Sequence, residues 1–267
     1  MPKHSPGAPV ALVTGGSRGL GRGIALELAA AGLSVAINYR RDRRAAEETA
    51  RLCRQAAPGR AQAFRPIQAD IASGRDRDRL LAATLRAFGR VDALINTAGI
   101  APRRRTDILE AGAPSYREVM ETNLAGPHFL TQAVARHWLE AKPEPVLPSG
   151  FTVIFVTSIS AVMLSLNRSE YCLAKAALAM AVQLWAARLA PEKIQVIELR
   201  PGLMATDMTA GAKSRYGRLI RRGRVPQKRW GTAEDVGRAA RSILAGNFPY
   251  SAGAVIALDG GLGLAQL

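Results

Sequence analysis

Seven short apolar runs, separated by stretches of helical periodicity, constrain the fold of this chain more than any other feature. They lie at residues 10–14, 34–39, 61–69, 91–97, 152–156, 194–199 and 254–258. Between them, residues 19–31, 43–57, 76–88, 116–140, 170–189 and 233–244 carry apolar residues at helical spacing. Strands alternating with helices require a parallel sheet covered on both faces. Right-handed crossovers then give a doubly wound α/β sheet, with its ligand site at the carboxyl ends of the strands. The polar residues that stand out fall at those ends: Thr14 and Gly15, Asp70, Asn96, Ser158, and Pro201-Gly202.

Composition sets bounds on this picture. With 267 residues, 48% of them apolar, the chain can bury one large core. No composition break divides it, so one domain is expected over residues 10–267, with 1–9 a flexible segment. That segment is polar and proline-rich, without the apolar stretch of a signal peptide. No apolar run approaches the ~18 residues of a spanning helix. Two cysteines are too few for a disulfide framework and fit a reducing cytosol, and Cys172 reads as a packed small residue. The formal charge is +16, concentrated at residues 40–44, 103–105 and 218–229. Such a field favours anionic ligands or partners. Aromatics make up 5% of the chain and do not interleave with the arginines, which weighs against single-stranded nucleic acid.

The turn after the first strand, residues 14–21, holds Gly15, Ser17, Arg18, Gly19, Leu20 and Gly21. Glycines there let a pyrophosphate approach the backbone, and the helix that follows offers free N–H groups and its positive dipole end. The second strand ends Asn38-Tyr39-Arg40-Arg41. An NAD-binding chain places a carboxylate at this point, whereas an NADP-binding one needs cations, and Asp42 comes too late to serve. Arg18, Arg40 and Arg41 therefore point to NADP(H). Asp70 and Ile71 close the third strand, where the carboxylate is placed to accept from an adenine amino group. At the end of the fourth, Asn96 fixes the turn, and the small residues Ala98 and Gly99 let a cofactor lie across. No metal is expected.

Tyr171 and Lys175 lie four residues apart on one helix, and so on one face. A free phenol titrates near ~10, and each unit of lowering needs about 1.4 kcal/mol of preference for the phenolate, which a neighbouring cation supplies. Asn123 falls inside the long helical stretch 116–140, where asparagine is a poor former.

With these pieces in order, the chain resembles the short-chain dehydrogenase/reductase family. The resemblance rests on Thr14-Gly15-x-x-x-Gly19-x-Gly21, Asp70, Asn96-x-Ala98-Gly99, Asn123, Ser158, Tyr171-x-x-x-Lys175, Pro201-Gly202, Thr206 and Asp259-Gly260-Gly261. It covers nearly the whole chain and implies a single-domain Rossmann fold. Within the family the chain looks most like the 3-ketoacyl-acyl-carrier-protein reductases, through residues 35–40 and 229–235.

The resemblance implies that Tyr171 donates a proton to a carbonyl oxygen as hydride arrives from NADPH, and that Ser158 donates to the same oxygen. Lys175 then lowers the Tyr171 pKa and binds the nicotinamide ribose. Asn123 holds a water that links Lys175 to solvent, and Pro201, Gly202 and Thr206 bind the carboxamide end. Residues 203–230 become a basic lid, suited to an acyl thioester on acyl carrier protein or coenzyme A. A homo-oligomer, dimer or tetramer, in the cytoplasm is the implied setting, with no nucleic-acid or membrane partner. Two other readings stay open: a secondary-alcohol or sugar dehydrogenase, and a non-catalytic NADP-sensing nucleic-acid binder. Three features depart from the family pattern or stand outside it. Thr97 replaces a frequent asparagine, residues 142–150 form a proline-rich insertion, and the partner of Arg200 is not evident.

Overall fold

The computed structural model describes residues 8–264; the expected flexible segment 1–9 lies almost wholly outside them. Seven parallel strands form one sheet in the order β3-β2-β1-β4-β5-β6-β7. They are β1 (Val10–Val13), β2 (Ser34–Tyr39), β3 (Phe64–Gln68), β4 (Ala93–Asn96), β5 (Thr152–Val156), β6 (Gln195–Pro201) and β7 (Val255–Leu258). The helices are α1 (Gly19–Ala30), α2 (Arg43–Ala56), α3 (Gly74–Phe88), α4 (Ala113–Met120), α5 (Gly126–Ala141), α6 (Ser169–Leu189), α7 (Asp207–Ala210), α8 (Lys213–Arg221) and α9 (Ala233–Leu244).

The period of two along each strand distributes its side chains between two cores. Val13, Val35, Ile37, Ile95, Ile154 and Ile197 face one side, where they meet residues of α1, α2 and α9. Leu12, Ala36, Leu94, Val153, Phe155 and Val196 face the other, against α3, α5 and α6. Both faces are covered, so the central strands read as unbroken apolar runs. On the first side α1 and α9 touch backbone to backbone. A Cβ on Gly23 would lie 2.4 Å from the Ala233 carbonyl oxygen, and one on Gly237 would lie 2.6 Å from that of Gly23.

Two expectations need correction. The single helix over residues 116–140 is α4 and α5 joined by a π-helical turn, Glu121–Ala125. Pro127 has no N–H, so the carbonyl of Asn123, four residues back, lacks its α-helical donor. The backbone opens by one residue instead, and the Gly126 N–H reaches Glu121. The second correction concerns hydropathy. The 27 residues Leu166–Glu192, with a mean hydropathy of 1.3 over an 18-residue window, are long and apolar enough to cross a membrane. Within them α6 buries Ala174, Leu178, Ala181, Val182, Ala186 and Leu189, mostly against the second core. Its alanines bring a long helix close to the sheet, and that packing accounts for part of the hydropathy; Leu173, Met180 and Leu184 on the same helix are exposed.

The insertion 142–150 is anchored rather than loose: Leu147 is buried in the first core, and the Glu144 carbonyl accepts from Arg90 at 3.0 Å. Arg200 also has a partner. It donates to the fully buried Glu198 at 2.6 Å.

Candidate active site

A cleft of about 580 Å³ runs along the carboxyl ends of the strands, from Arg40 and Asp70 at one end to Tyr171 and Lys175 at the other. That volume lies in the range of small-molecule and cofactor sites.

Two side chains tie its floor together. Thr14 Oγ1 accepts from the N–H groups of Thr97 (3.0 Å) and Ala98 (3.1 Å), which fastens the end of β1 to the end of β4. Asn38 does the same across β1, β2 and β3: its Oδ1 accepts from the Gly15 N–H at 3.3 Å, and its amide donates to the Ala69 carbonyl at 3.0 Å. Gly15 and Gly19 have φ of +63° and +55°, conformations open to glycine. A Cβ on Gly15 would meet the Ala98 Cα at 2.9 Å, and one on Gly21 would meet the Gly15 oxygen at 2.3 Å. The turn is therefore a backbone-lined cradle at the start of α1, which fits a pyrophosphate. Thr97 Oγ1, on the cleft wall, is buried without a partner among the described residues. An orphaned hydroxyl in this position fits a bound cofactor that supplies the missing bond.

At the far end, Ser158 follows β5 and neighbours Tyr171. Burial, the largest influence, holds the Tyr171 phenol above its ordinary value, although Ser158 and then the Arg168 charge pull it down. Lys175 is 4% exposed, donates to the Val156 carbonyl at 3.0 Å and lies 5.8 Å from the centre of the Tyr171 ring. Burial pushes its pKa down to about 8, and the negative charge of Glu198 pulls it back up. Glu198 is itself held by Thr157 and Arg200. A weakly basic ammonium thus lies beside a buried phenol that also has a hydroxyl partner. This combination can pass a proton to a carbonyl oxygen and stabilise the charge that develops there.

A family model described as Enoyl-(Acyl carrier protein) reductase, of the short-chain dehydrogenase/reductase type, matches residues 15–263. The chain belongs to the short-chain dehydrogenase/reductase family. It is 34% identical to the 3-oxoacyl-[acyl-carrier-protein] reductase of Synechocystis sp. over 96% of its length and 97% of the relative's. It is also 34% identical to L-rhamnose 1-dehydrogenase (NAD(P)(+)) of Azotobacter vinelandii, covering 94% of this chain and 95% of that one. Among solved structures, the 3-oxoacyl-[acyl-carrier protein] reductase of Brucella melitensis, in complex with NAD, superposes with a TM-score of 0.90. It is 40% identical over 98% of this chain and 100% of that one. This short-chain dehydrogenase/reductase is thus an oxidoreductase acting on CH–OH and C=O groups with a nicotinamide cofactor.

The reductase fold brings most of the expected residues to one cleft. Gly15, Ser17, Arg18, Gly19, Leu20, Gly21, Asn38, Tyr39, Arg40, Asp70, Ile71, Ala98, Gly99, Tyr171, Lys175 and Thr206 line it. Ser158 is joined to it through Tyr171. Asn123 stands behind Gly99: its Oδ1 accepts from the Ile100 N–H at 2.8 Å, and its amide donates to the Ile100 carbonyl at 2.9 Å. A Cβ on Gly99 would lie 3.3 Å from that Oδ1 and 3.7 Å from Lys175 Nζ.

Three expected cofactor contacts are not on the wall. Asn96 is buried and turns away, its amide donating to Thr131 Oγ1 at 3.0 Å. The turn it was expected to fix is held by Thr14. Pro201 and Gly202 pack beneath the C-terminal residues, where a Cβ on Gly202 would meet the Asp259 Cα at 2.7 Å.

The far wall of the cleft includes residues that the sequence did not mark. Asp42 is on it after all, with one oxygen capping α2 at the Ala45 N–H. Thr122, Val156, Asp207 and Met208 also line it. Beyond the lining itself, Arg168 is the most informative residue that the sequence did not mark. Its guanidinium lies 5.1 Å from the centre of the Tyr171 ring, a position whose only sequence signal is its place three residues before that tyrosine.

Proposed function

We propose that this protein reduces a ketone to a secondary alcohol, with NADPH as hydride donor and a 3-oxoacyl thioester on acyl carrier protein or coenzyme A as substrate. The observation that carries this reading is the Ser158, Tyr171 and Lys175 group at one end of a cleft whose other end presents Arg40. Bound in the cradle, the cofactor supplies the hydride. The chain's own groups do the rest: Tyr171 gives its proton to the carbonyl oxygen, Ser158 donates to the same atom, and Lys175 replenishes the proton through the region bordered by Gly99 and Asn123. Likeness to 3-oxoacyl-[acyl-carrier-protein] reductases supports the substrate class. Arg18, Arg40 and Arg41 on the cleft wall support a 2′-phosphate. Residues 203–230 act as the lid, carried by α7 and α8, and their arginines favour an acidic carrier.

The test is turnover of acetoacetyl and longer 3-oxoacyl thioesters, followed by loss of NADPH absorbance and repeated with NADH. No consumption of either cofactor with any ketone would overturn the reading. Oxidation of sugars or secondary alcohols is the second reading, supported by likeness to L-rhamnose 1-dehydrogenase. Faster turnover of such alcohols with NAD(P)⁺ than of any thioester would favour it.

The protein acts in the cytoplasm as a homo-oligomer, in this reading, without nucleic-acid or membrane partners. Leu173, Met180 and Leu184 form an exposed apolar stripe on α6, and Phe129 is exposed on α5. Such a stripe suits a second copy of the chain.

A further inference from the structure

Tyr171, on the cleft wall, has cations around it that no carboxylate pairs among the described residues. Arg168 packs over the Tyr171 ring and donates from Nη2 to Ser160 Oγ at 2.9 Å, while its Nε is buried without a partner among the described residues. Arg105 donates to the hydroxyl of Tyr216 on α8 at 3.3 Å, and Tyr216, 8% exposed, is near enough to Arg168 to feel its charge. Arg215 precedes that tyrosine. Among the described residues, none of Arg105, Arg168 and Arg215 belongs to an ion pair. The neighbouring Arg103, by contrast, is paired to Glu118 at 2.8 Å. Glu170, two residues after Arg168 and buried, points elsewhere and accepts from Ser115 at 2.6 Å. Burial pushes the Tyr216 phenol up, but the Arg105 hydrogen bond and the charges of Arg168, Arg105 and Arg215 outweigh it and hold the phenol below its ordinary value.

A guanidinium N–H shut off from water without an acceptor is costly. The cost is removed when an anion binds, and a carboxylate matches the guanidinium fork. Because Arg168 lies directly over the proton donor, that anion belongs to the molecule being reduced. A carrier's phosphate would lie many bonds from the reacting carbonyl, too far to reach this corner.

We propose that the site reduces, beyond thioesters, short oxo acids whose free carboxylate lies a few bonds from the ketone. Arg168 holds that carboxylate, and Arg105 and Tyr216 complete its surroundings. The reaction balances as for any ketone: hydride from the reduced nicotinamide goes to the ketone carbon and the Tyr171 proton to its oxygen. The products are the hydroxy acid and the oxidised cofactor, and solvent restores the proton on Tyr171. The proposal rests on the ketone-reduction reading and narrows what the pocket selects.

The test compares 3-oxobutanoate and 4-oxopentanoate with their uncharged amides, in the wild type and in Arg168→Met, Arg168→Lys and Arg105→Met. The expected result is a kcat/KM at least roughly tenfold higher for one of the acids than for its amide, as a charge-assisted contact provides. That preference, read as the acid-to-amide ratio of kcat/KM so that any effect on Tyr171 common to both substrates cancels, is lost in Arg168→Met, partly kept in Arg168→Lys and reduced in Arg105→Met. Equal kcat/KM for acid and amide in the wild type would overturn the proposal, and this comparison needs no variant to fold. So would an acid preference untouched by Arg168→Met. If no ketone turns over, the ketone-reduction reading fails by itself. Calorimetric titration with 3-oxobutanoate and its amide then decides whether the carboxylate corner binds: tighter binding of the acid, weakened by Arg168→Met, supports it, and equal binding refutes it.

Discussion

The Arg40 guanidinium lies 2.7 Å from the Asp70 carboxylate, so each of two residues expected to contact the cofactor is held by the other. The pair fixes Arg40 across the ends of β2 and β3 and leaves its outer N–H groups for a phosphate. Arg40→Ala is expected to lower kcat/KM for NADPH by roughly tenfold or more, the worth of a charge-assisted hydrogen bond. The NADH value should stay within about threefold, because loss of the arginine also frees Asp70 to accept from the nucleotide. Equal losses with both cofactors would show that Arg40 supports the fold and does not read the phosphate.

Lys175 gives a signed pH dependence. Its folded pKa, about 8, lies below the ordinary lysine value of about 10.4. Between these values the unfolded chain binds one more proton than the native one, so this group makes native stability rise with pH through the window. Lys175→Met removes the effect. Measured by urea denaturation without cofactor, the wild type should gain on the variant by a few kcal/mol, roughly 3, between pH 7.5 and 10.5. Parallel profiles would assign the titration elsewhere.

Ser158 and Tyr171 act as a unit, so their variants differ in kind. Tyr171→Phe removes the proton donor and should lower kcat by about 10²–10⁴. Ser158→Ala should lower it by about 10²–10³ with little change in KM. It should also move the basic limb of the pH–rate profile upward, because the hydroxyl that lowers the phenol pKa is gone. A basic limb that stays in place would separate Ser158 from the titration of Tyr171.

Pro127 controls the geometry at Asn123. Pro127→Ala restores an N–H that can reach the Asn123 carbonyl and close the π turn into α-helical register. The expected outcome is a kcat lower by roughly tenfold through misplacement of Asn123, with the melting temperature within a few degrees of the wild type. Full activity would show that the wide turn survives without the proline.

The strands, the doubly wound class of the sheet and many residues that line the cleft were legible because each rests on a local pattern. Period-two apolar runs, glycines at sharp turns and polar residues at strand ends are written in adjacent positions. The π turn left its mark in Pro127, but the mark is a missing donor and does not show in apolar periodicity. Asn96 looked like a cofactor contact because strand ends in this fold face the ligand. Its side chain is turned inward by Thr131, which lies on α5 and far along the chain. Arg168, Arg105 and Tyr216 come from three separate segments. Only the folded chain brings them near one another, with no carboxylate paired to either arginine among the described residues.

The glycine contact between α1 and α9 bears on synthesis. Gly23 belongs to the first helix and Ala233 opens the last, so the helix that presents the phosphate cradle is braced by one of the final elements to leave the ribosome. Domains usually fold as units while the chain is made. Here the nascent chain exposes the bare glycine face of α1 until α9 emerges, so the cradle matures late although its residues are translated first.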